Sequence, residues 1–183
     1  FNIGRIKYDQ STNSMQFNTN NAERMRINSS GQSLFGCTAL PTGSASGFAF
    51  TADQFYTSTT STSTNTQVRF YNGNGLVGYI STSGTSTSYV TSSDYRLKEN
   101  VTADWDATTR LKQLNPVRFN FIADADTTVD GFLAHEVQDV VPEAITGTHN
   151  EVDADGNPVY QGIDQSKLVP LLVKTIQELE ARI

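Results

Sequence analysis

Ser93 and Lys98 lie five residues apart in Ser92-Ser93-Asp94-Tyr95-Arg96-Leu97-Lys98-Glu99-Asn100, and their types suit nucleophilic chemistry. A serine hydroxyl is a weak nucleophile until something takes its proton. A lysine serves as that base when burial or a neighbouring cation favours its neutral form. The pair works only if the backbone folds back between the two positions. Arg96 is the candidate for the neighbouring charge. Asp94 and Asn100 are candidates to orient the loop or polarise a carbonyl, and they read equally well as turn and capping residues. Spacing alone is a weak signal, because Ser and Lys fall this close together in most proteins.

Other chemistries find less support. Cys37 is the single cysteine, so no intrachain disulfide and no cysteine-based metal site can form. His135 and His149 stand far apart in the chain, which argues against zinc. Glu151, Asp153, Asp155 and Gly156 hint at a calcium loop, but the twelfth position counted from Glu151 is Gly162, without the closing carboxylate. A turn is expected there, and no metal. The 183 residues carry a net charge of −6. Residues 1–92 hold five Lys/Arg against three Asp/Glu, and residues 93–183 hold eight against sixteen. A net-acidic chain without a basic cluster offers nucleic acid no footprint. No run of about 18 apolar residues is present to span a membrane. Beginning at Phe1 rather than Met, the chain is expected to be the end of something longer, and a signal peptide is not visible.

The elements that must position the pair read in two parts, divided at about Ser92. Upstream, Gly4–Tyr8, Ser14–Phe17 and Glu23–Ile27 alternate side-chain type between Asn/Ser/Gly turns, the signature of half-buried strands. Such short, thinly apolar strands are expected to share a core with other chains. Residues 57–66 are Ser or Thr at nine of ten positions. They read either as a flexible linker or as an extended strand stacked on copies of itself. Gln67–Tyr71 and Leu76–Ile80 flank Asn72-Gly73-Asn74-Gly75 as a hairpin, and another Ser/Thr/Gly tract runs from Ser81 to Ser88. Aromatic residues such as Phe48, Phe50, Phe55, Tyr56, Phe70 and Tyr71 could line a sugar-binding surface, with core packing the plainer expectation.

Downstream of Ser92, acidic residues, the only Trp and most prolines appear. Asp106 is expected to cap a short helix carrying Leu111 and Leu114, stopped by Asn115-Pro116. Val117–Phe121 alternates as a strand. Gly131–Ala134 reads as a buried strand leading into a short helix around Glu136–Val140. The chain ends in a helix for which Ser166 is the expected N-cap, since that places Pro170 in the first turn. Val169, Leu172, Ile176, Leu179 and Ile183 then fall at alternating spacings of three and four, a coiled-coil seam with β-branched residues at a and Leu at d. The alternative is one helix packed on its own domain.

The stretch Ser93–Asn100 resembles the opening motif of the intramolecular chaperone, or peptidase S74, domain at the ends of phage tail fibres and tailspikes. The resemblance continues through Leu111–Phe119, Gly131–Gln138, Val141–Ala144 and Ile163–Leu172, in the family's order. It implies a mainly β, intertwined trimeric fibre segment over 1–92, followed by an α+β chaperone and auto-processing domain over 93–183. It implies that Ser93 attacks the carbonyl of Ser92 with Lys98 as base, in a single turnover in cis that needs no cofactor. His135 stands where the family often has an uncharged polar residue and is taken as structural. The implied partner is a homotrimer, with a host-surface receptor or glycan contacted through residues 1–92. The implied location is the virion, with the chaperone acting in the host cytoplasm during assembly. A non-cleaving trimerisation cap is the rival reading. A cellular membrane-bound transcription factor with the same domain would need a transmembrane segment and a basic region, and neither is present. The Val/Ile and Leu pattern of the seam favours two strands, so the trimer is an expectation from resemblance alone.

Overall fold

The computed structural model describes residues 3–182, in two compact units that divide between Glu99 and Asn100. Ser93 to Glu99 therefore lie with the first unit.

In the first unit, β1 (Gly4–Asp9), β2 (Ser14–Thr19), β3 (Ala22–Ile27), β4 (Ser33–Phe35), β5 (Gly47–Phe50) and β6 (Phe55–Ser58) form an antiparallel meander in chain order. Asn20 and Asn21 turn the β2–β3 hairpin with φ of 50° and 56°. Asparagine tolerates this left-handed region better than most residues. Cross-strand partners share a face. One row is Ile6, Phe17, Met25, Phe35, Phe48 and Thr57, and the next is Tyr8, Met15, Ile27, Ser33, Phe50 and Phe55. The opposite face holds Lys7, Gln16, Arg26, Leu34, Ala49 and Tyr56. The sheet buries Leu34, Ala49, Ser14, Gln16 and Asn18 from this second face. Within it, Gln16 Nε2 donates to Ser14 Oγ at 3.1 Å. The apolar rows stay largely exposed.

A second sheet, β7 (Asn65–Asn72), β8 (Gly75–Ser83) and β9 (Ser86–Thr91), contains the expected hairpin and one strand more. Ser86–Thr91 pairs with β8 and continues into the Ser92–Asn100 stretch, so the tract read from Ser81 is strand at both ends. The Ser/Thr run divides: Thr57 and Ser58 close β6, Asn65 and Thr66 open β7, and the residues between them are irregular.

The second unit is α+β. Asp106 caps α1 (Ala107–Leu111) by accepting from Thr109 N at 3.0 Å, as expected, and Leu114 falls beyond the helix. The strand β10 (Val117–Phe121) pairs with β11 (Asp124–Gly131). The expected strand at Gly131–Ala134 thus lies earlier, because Phe121 turns directly back on Asp124 and uses the hairpin's pairing up to Gly131. Then come α2 (Ala134–Gln138), the pair β12 (Ile145–Thr146) and β13 (Gly162–Ile163), and α3 (Val169–Glu180). A turn at 154–156 separates flanks joined by the Val152–Pro158 bridge. The core is Ala107, Val137, Val141, Ala144, Leu168 and Leu171, with Trp105, Leu111 and Phe132 against it.

The cap before α3 differs from expectation. Asp164, not Ser166, accepts from Ser166 N at 3.0 Å and from Ser166 Oγ at 2.6 Å. A 3-10 turn over Gln165–Leu168 intervenes, so Pro170 still sits in the first α turn, where it removes no intrahelical bond. Leu168, Leu171 and Thr175 face the core. The proposed seam residues Val169, Leu172, Ile176 and Leu179 are 46–56% exposed, so packing and seam occupy different faces. Ile183, the last seam position, lies outside the described residues.

Candidate active site

The chain leaves β9 and is pinned at Ser92, whose backbone N–H donates to Val77 O at 3.1 Å and whose hydroxyl donates to Leu76 O at 3.3 Å. Asp94 then caps a 3-10 turn over Tyr95–Leu97, accepting from Arg96 N at 2.9 Å. Leu97 N donates to Asp94 O and Lys98 N to Tyr95 O, each at 3.1 Å. A tight turn of this kind brings together the residues that flank it. Lys98 Nζ consequently donates to Ser93 Oγ at 2.7 Å.

The two candidate reacting groups therefore touch. When the amine is neutral, the same contact reverses and the nitrogen accepts the serine proton. Both residues are exposed, and so are Tyr95 and Leu97 at 81% and 71%.

Arg96, the candidate neighbouring charge, is paired with Asp94. Its guanidinium forks onto Asp94, Nε to Oδ1 and Nη2 to Oδ2, both at 2.9 Å. A planar, always-charged guanidinium matches a carboxylate in this way, so its charge faces Asp94 rather than Lys98. The fork holds the Asp94 carboxyl below its ordinary value, helped by the Arg96 amide and by the nearby Lys98 charge. Asp94 and Arg96 shape the turn. Asn100 adopts φ of 53°, the left-handed region, which is the turn-residue reading of that position.

The sequence does not announce the pin at Ser92, because the Ser/Thr/Gly tract Ser81–Ser88 runs into the start of β9. The β-branched residues Thr87, Val90 and Thr91 around Tyr89 are the available signal. Gly78 is unannounced as well. A Cβ there would stand 2.7 Å from Val90 O, so only glycine lets β8 and β9 approach at this point.

His135 and His149, distant in sequence, are stacked in space, with centroids 4.4 Å apart and planes 6° from parallel. Parallel stacked rings aim their lone pairs side by side rather than at one ion. Among the described residues no group of three or more His, Cys, Asp or Glu side chains converges. No helix among them is long and apolar enough to cross a membrane.

Residues 93–146 match the model of the family Peptidase_S74, chaperone of endosialidase. This stretch is similar to the peptidase S74 chaperone family. No curated protein matches the chain. The matched segment begins at Ser93, the first residue after the pinned Ser92, and it takes in the turn, α1, the β10–β11 hairpin and α2. The similar motif at Ile163–Leu172 lies beyond the matched residues.

Proposed function

We propose that the chain is the end of a phage-type tail fibre or tailspike whose S74 domain drives trimerisation and folding, then releases itself by cutting between Ser92 and Ser93. The observation that carries the reading is the 2.7 Å contact between Lys98 Nζ and Ser93 Oγ, placed one residue after a pinned strand end.

The chemistry balances without a cofactor. Lys98, as the free amine, takes the Ser93 hydroxyl proton while Oγ attacks the carbonyl carbon of Ser92. The C–N bond breaks, and the Ser93 nitrogen takes back the proton from Lys98. An ester now joins the Ser92 carbonyl to Ser93 Oγ. Water hydrolyses it, leaving a carboxylate at Ser92 and a free amine and hydroxyl at Ser93. The pins from Leu76 and Val77 hold the acyl side still while the turn carries the nucleophile, which is catalysis by orientation.

Trimerisation would use the exposed seam of α3, Val169, Leu172, Ile176 and Leu179. Its purpose is entropic: repetitive Ser/Thr strands specify register poorly, and a C-terminal device that associates first raises their local concentration and aligns them. Cutting afterwards removes the registering device, so the fibre's stability becomes kinetic. Assembly would also cover Tyr95 and Leu97 and dry the pair, a condition under which a lysine more readily serves as base. The product would reside in the virion and serve host attachment, with a receptor or glycan met through residues 1–92.

One observation favours the rival, a cap retained on the mature fibre: in the single chain the pair stands open to water and Arg96 is occupied by Asp94. Intact-mass measurement separates the two readings. Self-cleavage predicts a break before Ser93 that Ser93→Ala abolishes and that Lys98→Ala slows by about 10²–10⁴-fold, the usual reach of a general base. An uncut chain in a correctly assembled trimer would leave the cap. Sedimentation mass tests the trimer itself, and a dimer would remove it.

A further inference from the structure

The six-stranded meander is inverted relative to an ordinary half-buried sheet. Its polar and small residues Ser14, Gln16, Asn18 and Ala49 are buried, while Ile6, Tyr8, Phe48, Phe50 and Phe55 are 41–70% exposed. The exposed rings are already ordered against one another: Phe35 and Phe48 stack at 4.5 Å, and Phe50 and Phe55 at 4.9 Å.

We infer that this face, the two apolar cross-strand rows of β1–β6, is an interface that packs against the same face of other copies of the chain. Area and charge both favour that occupant. Taking large side chains at 150–250 Å² each, the seven row residues exposed by 39% or more leave roughly 500–850 Å² in water. The upper end reaches the share one partner contributes to a standard stable interface, and most of the range lies above the apolar patch that monomers ordinarily leave in water. The twelve row positions include no Asp, Glu, Lys or Arg, whereas Lys7, Arg26 and their partners Asp9 and Glu23 stand off the rows. An uncharged apolar face is its own complement, since identical copies meet without like charges opposed. The inference deepens the trimer reading and rests on it for the number of copies.

Both methionines of the chain, Met15 and Met25, lie in these rows, so the face carries its own reporters. The full chain, with its mass established by sedimentation, is treated with dilute hydrogen peroxide and sulfoxide formation is followed by peptide mass. In the assembled protein Met15 is expected to oxidise roughly tenfold slower than in the urea-unfolded chain, because thioether oxidation follows exposure. The double variant Phe48→Asp/Phe50→Asp is expected to restore the reactivity of Met15. A wild-type oligomer whose Met15 oxidises as fast as in urea overturns the face while leaving the α3 seam reading intact. A wild-type monomer with reactive Met15 overturns both. Protection of Met15 in a wild-type monomer also overturns the face, since something within one chain would then cover it.

Discussion

The two units bury different things. The second gathers Ala107, Val137, Val141, Ala144, Leu168 and Leu171 into one contiguous apolar cluster, with α1 and α3 packed across it. The first hides one large aliphatic side chain, Leu34, among Ser14, Gln16, Asn18 and Ala49, and turns its aromatic residues outward. Among the described residues each unit also holds one buried polar atom without a partner, Asn18 Nδ2 in the first and Thr175 Oγ1 in the second. An unmet buried donor costs about 1–3 kcal/mol, which a unit with few buried aliphatics is poorly placed to offset. The difference teaches a contrast in burial: one unit gathers its apolar side chains inside, and the other leaves rows that the proposed assembly would cover.

The contrast is tested most severely by removing a core side chain from the second unit. Leu171 is 2% exposed within the apolar cluster, so Leu171→Ala is expected to destabilise residues 100–183 by about 2–5 kcal/mol. Hydrogen exchange on the full chain should place the lost protection in α1, α2 and α3. Equal loss across β1–β9 would mean that the units unfold as one, and the division would fail.

A smaller effect is expected in the first unit at Gly78, where an added Cβ meets Val90 O at 2.7 Å. Gly78→Ala should destabilise the β7–β9 sheet by about 1–3 kcal/mol through overpacking. It should also slow cleavage, since Val77 O next door pins Ser92. Gly73→Ala, with open space around it, is the control and should leave both unchanged. Melting curves and the rate of appearance of the Ser93 amino terminus read the two effects. Loss of stability with an unchanged cleavage rate would show that the pin is dispensable.

Much of this was legible locally. Alternating segments such as Ser14–Phe17 and Val117–Phe121, the Asn-Gly hairpin and the Asp106 cap all rest on interactions within a few residues, and each is found. The Ser93–Lys98 contact belongs to the same class, because a turn capped by the next residue, Asp94, makes it. What escaped depends on partners distant in sequence or on competing local geometry. Ser86–Thr91 is a strand because β8 offers an edge, and its Ser/Thr composition could not announce that. Asp164 rather than Ser166 caps the last helical segment because a 3-10 turn absorbs the residues before Pro170. The histidines meet although fourteen positions separate them. The outward apolar rows need the register of five strand pairings, and no single strand reveals them.

The smallest expected effect concerns Glu178, which sequence inspection would leave as a surface residue of α3. Its carboxylate instead accepts from Ala107 N at 3.0 Å, Thr108 N at 2.8 Å and Thr108 Oγ1 at 2.6 Å, tying the last turns of α3 to the start of α1. The Thr108 hydroxyl and then the two amides hold its pKa below the ordinary glutamate value. A carboxylate lowered in the folded state contributes stability that is fully present above the unfolded value and is lost as pH falls through the folded one. Glu178→Gln should therefore lower the melting temperature of the second unit at neutral pH. The gap from wild type should close below the ordinary glutamate range, as the wild-type carboxyl takes up its proton. Melting curves across acid pH check this. A gap that stays constant through that range would mean that Glu178 acts by packing alone, and the acid sensitivity of the second unit would have to come from Asp106, Asp130, Asp153 and Asp164, the other carboxylates held below their usual values.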